Sequence, residues 1–139
     1  MLWPVVAAWE RVRYAETDRM GVAYHSNFLI WFEIGRTTYM REAGFAYREL
    51  EAAGYFMPVL TFHGELRESL RYDDQIEIRT RVTRVRSRQV DFAYEILRDG
   101  RVVALGSTTH ICLDRDKRPV ALPPALRTLL EPSSAAVDR

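Results

Sequence analysis

The sequence predicts an α+β domain in which a strongly curved antiparallel sheet of about five strands wraps one long helix. Three observations predict it. Residues 28–43, FLIWFEIGRTTYMREA, are apolar nearly all round in their first half, which is the pattern of a helix buried on most sides. Four later segments, at 59–70, 75–85, 90–97 and 101–113, read as strands following one another in a meander. One further strand precedes the helix, so helix and sheet must form two layers rather than alternating βαβ units.

In chain order, residues 9–14 have the β-rich alternation of a first strand. A polar loop follows, and Asn27 or Ser26 is placed to cap the long helix by accepting a bond from an unpaired backbone N–H. Gly44 is placed to end that helix in the left-handed conformation. A short helix is expected over 46–53, closed by Gly54. Segment 75–85 alternates Ile76, Ile78, Thr80 and Val82 against Glu77, Arg79 and Arg81, and the register slips near Thr83, as at a bulge. Asp99-Gly100 is a two-residue hairpin signal between the strands at 90–97 and 101–113. Residues 123–130 predict a terminal helix after a Pro-Pro pair.

The 139 residues suit one domain, taken as 1–130, with 131–139 as a flexible polar tail. Twenty basic and nineteen acidic residues leave a net charge of +1, which gives no whole-chain reason to expect nucleic acid or an anionic membrane as partner. No apolar run approaches the ~20 residues of a membrane span. The start, MLWPVVAAW, has no basic leader and is broken by Pro4, so the cytoplasm is the expected compartment. Cys112 is the single cysteine, which excludes an intramolecular disulfide and reads as core. His63 and His110 have no partner at metal-ligand spacing, so neither a metal nor another cofactor is expected.

The stretch RYAETDRMGVAYHSNFLIWFEIGR resembles the opening motif of the hot-dog-fold acyl-CoA thioesterases, in the 4-hydroxybenzoyl-CoA thioesterase branch. Tyr14, Thr17, Asp18, Gly21, His25 and Asn27 fall at the places that motif requires. The segments LRESLRYDDQIEIRTRV and RSRQVDFAYEILRDGRVVALGSTTHICLD are similar to its second half, so the resemblance spans roughly residues 9 to 115. It implies a hot-dog fold, hydrolysis of an acyl thioester, and a homodimer or homotetramer with active sites at subunit boundaries. His25 stands where several relatives have tyrosine. That variant is similar to members acting on short acyl groups or with acyl carrier protein, which leaves acyl-CoA and carrier-protein thioesters both open.

Thioester hydrolysis needs a base or nucleophile, a donor for the oxyanion and a cleft for the acyl group. Asp18, ionised at neutral pH, either activates water or attacks the carbonyl itself. The competing reading is a solvated turn residue. The helix start offers unpaired N–H groups to an oxyanion, and the resemblance gives that part to the backbone N–H near His25. Gly21 allows the tight path that returns Asp18 to the helix end. The His25 imidazole either orients the thioester, protonates the departing thiolate or holds the loop. Asn27 reads as a cap, with Tyr14 and Thr17 as loop supports.

Glu33, one turn into the buried helix, is a reserve acid or base; the competing reading pairs it with an arginine such as Arg36 at a subunit boundary. Arg84, Arg86 and Arg88, at period-two spacing, either present one basic face to the CoA phosphates or form a solvated edge. Two other functions are compatible with the architecture: a hydratase or dehydratase, whose close Asp/His or His/Glu pair needs a spacing that DRMGVAYH lacks, and a non-catalytic acyl-thioester binding module, against which a carboxylate beside the thioester argues.

Overall fold

The computed structural model describes residues 4–131. Apart from Glu131, the expected tail lies outside the described residues. Five strands, β1 (Val6–Arg11), β2 (Val59–Leu66), β3 (Gln75–Val85), β4 (Gln89–Arg98) and β5 (Arg101–Ile111), accompany the helices α1 (Ser26–Ala43), α2 (Tyr47–Ala52) and α3 (Pro124–Leu130). The strands form one antiparallel sheet in the order β1-β3-β4-β5-β2. This is the expected α+β, hot-dog arrangement of a helix laid on a five-stranded sheet.

Local signals place most elements. Gly44 ends α1 at φ 98°, with its N–H on the carbonyl of Arg41. Asp99 and Gly100 both take positive φ, 51° and 78°, as a two-residue hairpin of the twist-matched type requires. The register of β3 against β4 shifts between Val82 and Arg84, at the bulge expected near Thr83. β1 starts and ends three residues earlier than the alternation over 9–14 suggests, since Tyr14–Glu16 forms a turn of 3-10 helix instead. The turn wins because the buried Glu16 carboxylate accepts the Arg13 backbone N–H at 2.7 Å.

The sheet order corrects the four-strand meander. Only β3, β4 and β5 follow one another; β2 pairs with β5 on the far side, and among the described residues its own outer edge has no partner strand. Alternation reports that a segment is a strand but carries no information on its neighbour.

Helix α1 packs over β1, β3 and β4. Its buried side is Phe28, Trp31, Phe32, Gly35, Tyr39 and Met40. The Phe32 ring stacks on Tyr94 at 4.6 Å and covers Gly106, where a Cβ would overlap it. Gly35 brings the helix backbone down onto Thr80 and Ile78 of β3, again with no room for a Cβ. The expectation that α1 is buried nearly all round does not hold. Leu29 and Ile30 are 38% and 43% exposed and Glu33 is exposed too, because no element among the described residues covers the helix on the side facing β2. Every residue of β2 is likewise exposed, including Val59, Leu60, Phe62 and Leu66.

Candidate active site

The loop between β1 and α1 is built backwards from Glu16. Its carbonyl oxygen accepts the Tyr24 N–H at 2.8 Å and the Asn27 side-chain Nδ2 at 2.8 Å. Thr17 closes the same loop, its hydroxyl donating to the Tyr14 carbonyl at 2.7 Å and its backbone bridging Ala23. Between these ties the chain turns sharply at Asp18–Gly21, with Gly21 at φ 78°. Such a backbone suits glycine, which lacks the Cβ that opposes positive φ.

Asp18 is half-buried and has two distinct oxygens. Oδ1 accepts the Met20 N–H at 2.8 Å and lies 3.5 Å from the Val22 nitrogen, which fixes the side chain on its own turn. Oδ2 has no partner among the described residues. The carboxylate lines a cleft of about 300 Å³ together with Ala23, Tyr24, His25, Phe28 and Arg67. The turn and cleft readings of Asp18 thus coexist: one oxygen serves the turn while the other is uncommitted.

α1 begins one turn beyond. His25 is its N-cap but makes no side-chain capping bond. The backbone N–H groups of His25 and Ser26 have no hydrogen-bond partner among the described residues, as expected for a helix start. They lie at the end of the helix that carries partial positive charge. The His25 ring is exposed and rests on Tyr24, with centroids 4.2 Å apart. Tyr24 and Ala23 are themselves anchored, to Glu16 and Leu70 respectively.

Several expected site residues take other places. Asn27 is no acceptor cap; its amide donates to the Glu16 and Tyr24 carbonyls, because the helix begins one residue before it and the loop supplies acceptors. Tyr14 is 78% exposed, set edge-on against Tyr72 and outside the cleft. Glu33 makes no ion pair with Arg36; both line a second cleft, of about 370 Å³, between α1 and β2.

Arg84, Arg86 and Arg88 do not form one strand face, since β3 ends at Val85 and is bulged before Arg84. Arg86 is held by Asp91 at 2.7 Å and by the Gln89 side chain at 2.9 Å. These arginines sit at the far end of β3, roughly 30 Å of strand away from the end near the Asp18 loop. Within one chain they do not meet Asp18. The cation that lines the Asp18 cleft is Arg67, which no motif singled out. Glu16 also escaped the sequence reading, although a carboxylate three residues after Arg13 is the one local signal of a capping box.

Among the described residues, no group of three or more His, Cys, Asp or Glu side chains is placed to hold a metal ion, and no helix is long and apolar enough to cross a membrane.

A helix laid on a five-stranded antiparallel sheet is the hot-dog arrangement. A family model described as the thioesterase-like superfamily matches residues 12–130. The putative acyl-CoA thioesterase YneP of Bacillus subtilis is 33% identical over 106 residues, covering 76% of this chain and 77% of YneP. The DHNA-CoA thioesterase of Staphylococcus aureus, a solved structure, is 33% identical with a TM-score of 0.82, covering 85% of this chain and 80% of that one. A mutant 4-hydroxybenzoyl CoA thioesterase solved with 4-hydroxybenzoyl CoA has a TM-score of 0.84 at 15% identity, covers 91% of this chain and 99% of that one, and so shares the fold. The chain belongs to the thioesterase-like superfamily and is a thioester hydrolase by family.

Proposed function

We propose that this chain hydrolyses the thioester of a small or medium acyl-CoA, or of an acyl group on carrier protein, at the cleft between Asp18 and the start of α1. The observation that supports this most is the pairing, in one cleft, of an uncommitted carboxylate oxygen with a helix end. The N–H groups of His25 and Ser26 attract the carbonyl oxygen as it becomes an oxyanion, and such fixed donors lower the barrier to tetrahedral addition. Asp18 Oδ2 then takes a proton from water as the water oxygen adds to the carbonyl carbon. The C–S bond breaks, the thiolate takes up a proton, and the free acid and thiol leave. In the alternative order Oδ2 itself adds, the thiolate departs, and water hydrolyses the mixed anhydride. A carboxylate is a weak base, and its fixed position offsets that weakness.

Arg67 at the cleft is suited to the phosphates of the CoA handle. The open edge of β2 and the apolar side chains beside it fit a second copy of the chain, giving a homodimer or homotetramer in which the cleft is completed by a neighbour. A cytoplasmic setting suits a coenzyme-linked substrate of this kind.

Asp18→Asn tests the reading. Thiol release from acyl-CoAs is expected to fall by orders of magnitude while the assembly and its thermal midpoint stay as they are. Near-normal turnover would remove Asp18 from the mechanism.

A further inference from the structure

The second cleft, between α1 and β2, has an apolar lining of Leu29, Ile30, Val59, Leu60 and Phe62. Arg36, half-buried, lines it too, as does Thr108, which belongs to a chain of hydrogen bonds whose direction the chemistry fixes. His110 Nδ1 lies 3.0 Å from the Met57 carbonyl, which only accepts, so Nδ1 carries the ring proton. Burial keeps His110 neutral, lowering its pKa to about 4, so Nε2 is an acceptor. The Thr108 hydroxyl, 2.9 Å away, therefore donates to Nε2. Its oxygen in turn accepts the Tyr94 O–H at 2.6 Å. The Tyr94 and Tyr47 phenols lie near Arg36, whose positive charge works against the rise in their pKa that burial causes. Each proton from Tyr94 to Met57 points the same way.

The consequence concerns charge. Tyr94, Thr108 and His110 have each spent their one side-chain donor. A guanidinium has five N–H donors, more than two neighbouring phenols could satisfy. Among the described residues no carboxylate forms an ion pair with Arg36. Glu33, one turn earlier, lines the same cleft but is exposed, and water screens its charge. A half-buried cation facing an apolar cleft is costly unless an anion meets it. The cleft lies further along the same seam as the Asp18 cleft: α1 contributes Phe28 to one and Leu29 to Arg36 to the other, while β2 contributes Leu66 and then Phe62 to Val59. From His25 to Arg36 the helix advances roughly 16 Å.

We infer that the acyl group runs along α1 from Asp18 and that the preferred substrates are medium-chain acyl thioesters ending in a carboxylate, which Arg36 holds. This rests on the thioesterase reading. Arg36 acts here as a specificity residue, remote from the reacting carbonyl.

The test compares thiol release from matched CoA thioesters ending in methyl or carboxylate: hexanoyl against adipoyl, decanoyl against sebacoyl. In the wild-type chain the carboxylate member of at least one pair is expected to show about tenfold higher kcat/KM, largely through KM. Arg36→Met is expected to abolish that preference while changing the methyl series less than threefold, and Arg36→Lys to retain part of it. Glu33→Gln is expected to sharpen it by removing from the cleft lining a charge of the same sign as the substrate carboxylate. Wild-type preference for the methyl series, or equal loss in both series on Arg36→Met with an unchanged thermal midpoint, would overturn the inference. So would dissociation of the assembly on Arg36→Met, which would mean that a carboxylate of a second copy occupies the guanidinium. Failure to cleave either series, or any other acyl-CoA, would instead sink the thioesterase reading itself.

Discussion

The Asn27 side chain donates to the Glu16 carbonyl at 2.8 Å, tying the first turn of α1 to the residue two places before Asp18. The same carbonyl takes the Tyr24 N–H, so one oxygen holds both ends of the loop. The carboxylate and the helix start therefore keep a fixed separation, which a positioned base requires.

Asn27→Ala removes that tie without touching either partner of the chemistry. The expected cost is about 1 kcal/mol in stability, with a larger loss in kcat than in KM. Asn27→Asp is expected to be as poor, because a carboxylate cannot donate to the carbonyl. Chemical denaturation and steady-state thiol release measure the two effects; a kcat unchanged in both variants would show that the tie does not position Asp18.

His25→Ala separates the ring from the backbone. The ring makes no hydrogen bond among the described residues and rests on Tyr24, while the His25 N–H points from the helix start. If the backbone alone serves the oxyanion, kcat falls less than about tenfold, whereas loss of a general acid costs roughly a hundredfold or more. The small loss is the expected outcome in thiol-release assays.

Gly35→Ala drives a methyl group into the Thr80 hydroxyl and the Ile78 side chain. Overpacking of this kind costs about 1–3 kcal/mol, and the midpoint of thermal unfolding is expected to fall accordingly. Thr80 Oγ1 is buried without a hydrogen-bond partner, so removing it loses little. Thr80→Ala in the Gly35→Ala background is expected to recover part of the loss, as a double-mutant cycle would show.

His110 gives the fold a pH dependence with a definite sign. Its pKa is lowered from 6.5 to about 4, chiefly by burial, so between those values the unfolded chain binds the proton that the folded chain refuses. The stabilisation is complete above about pH 6.5, declines as pH falls, and is lost below about 4, amounting to roughly 3 kcal/mol. A second ring proton would also confront the Thr108 hydroxyl, which donates to that nitrogen. Unfolding midpoints measured from pH 7 to pH 4 should fall less steeply in His110→Asn than in the wild-type chain.

The sequence by itself determined what short-range chemistry encodes. The period of β3 and β4, the Asp99-Gly100 turn, the bulge near Thr83 and the Gly44 stop depend on a few neighbouring residues, and all are legible. The motif around Asp18 is legible for the same reason, since its turn is closed by bonds within four residues. What only the tertiary structure decided involves partners far apart in the chain: β2 lies beside β5 and not β3, the Arg86 end is remote from the Asp18 loop, and Arg36 comes near Tyr94, the first member of a polar chain drawn from β4, β5 and the Met57 segment. A side chain's sequence neighbours fix its conformation, but its charge balance and its exposure depend on which distant elements arrive beside it.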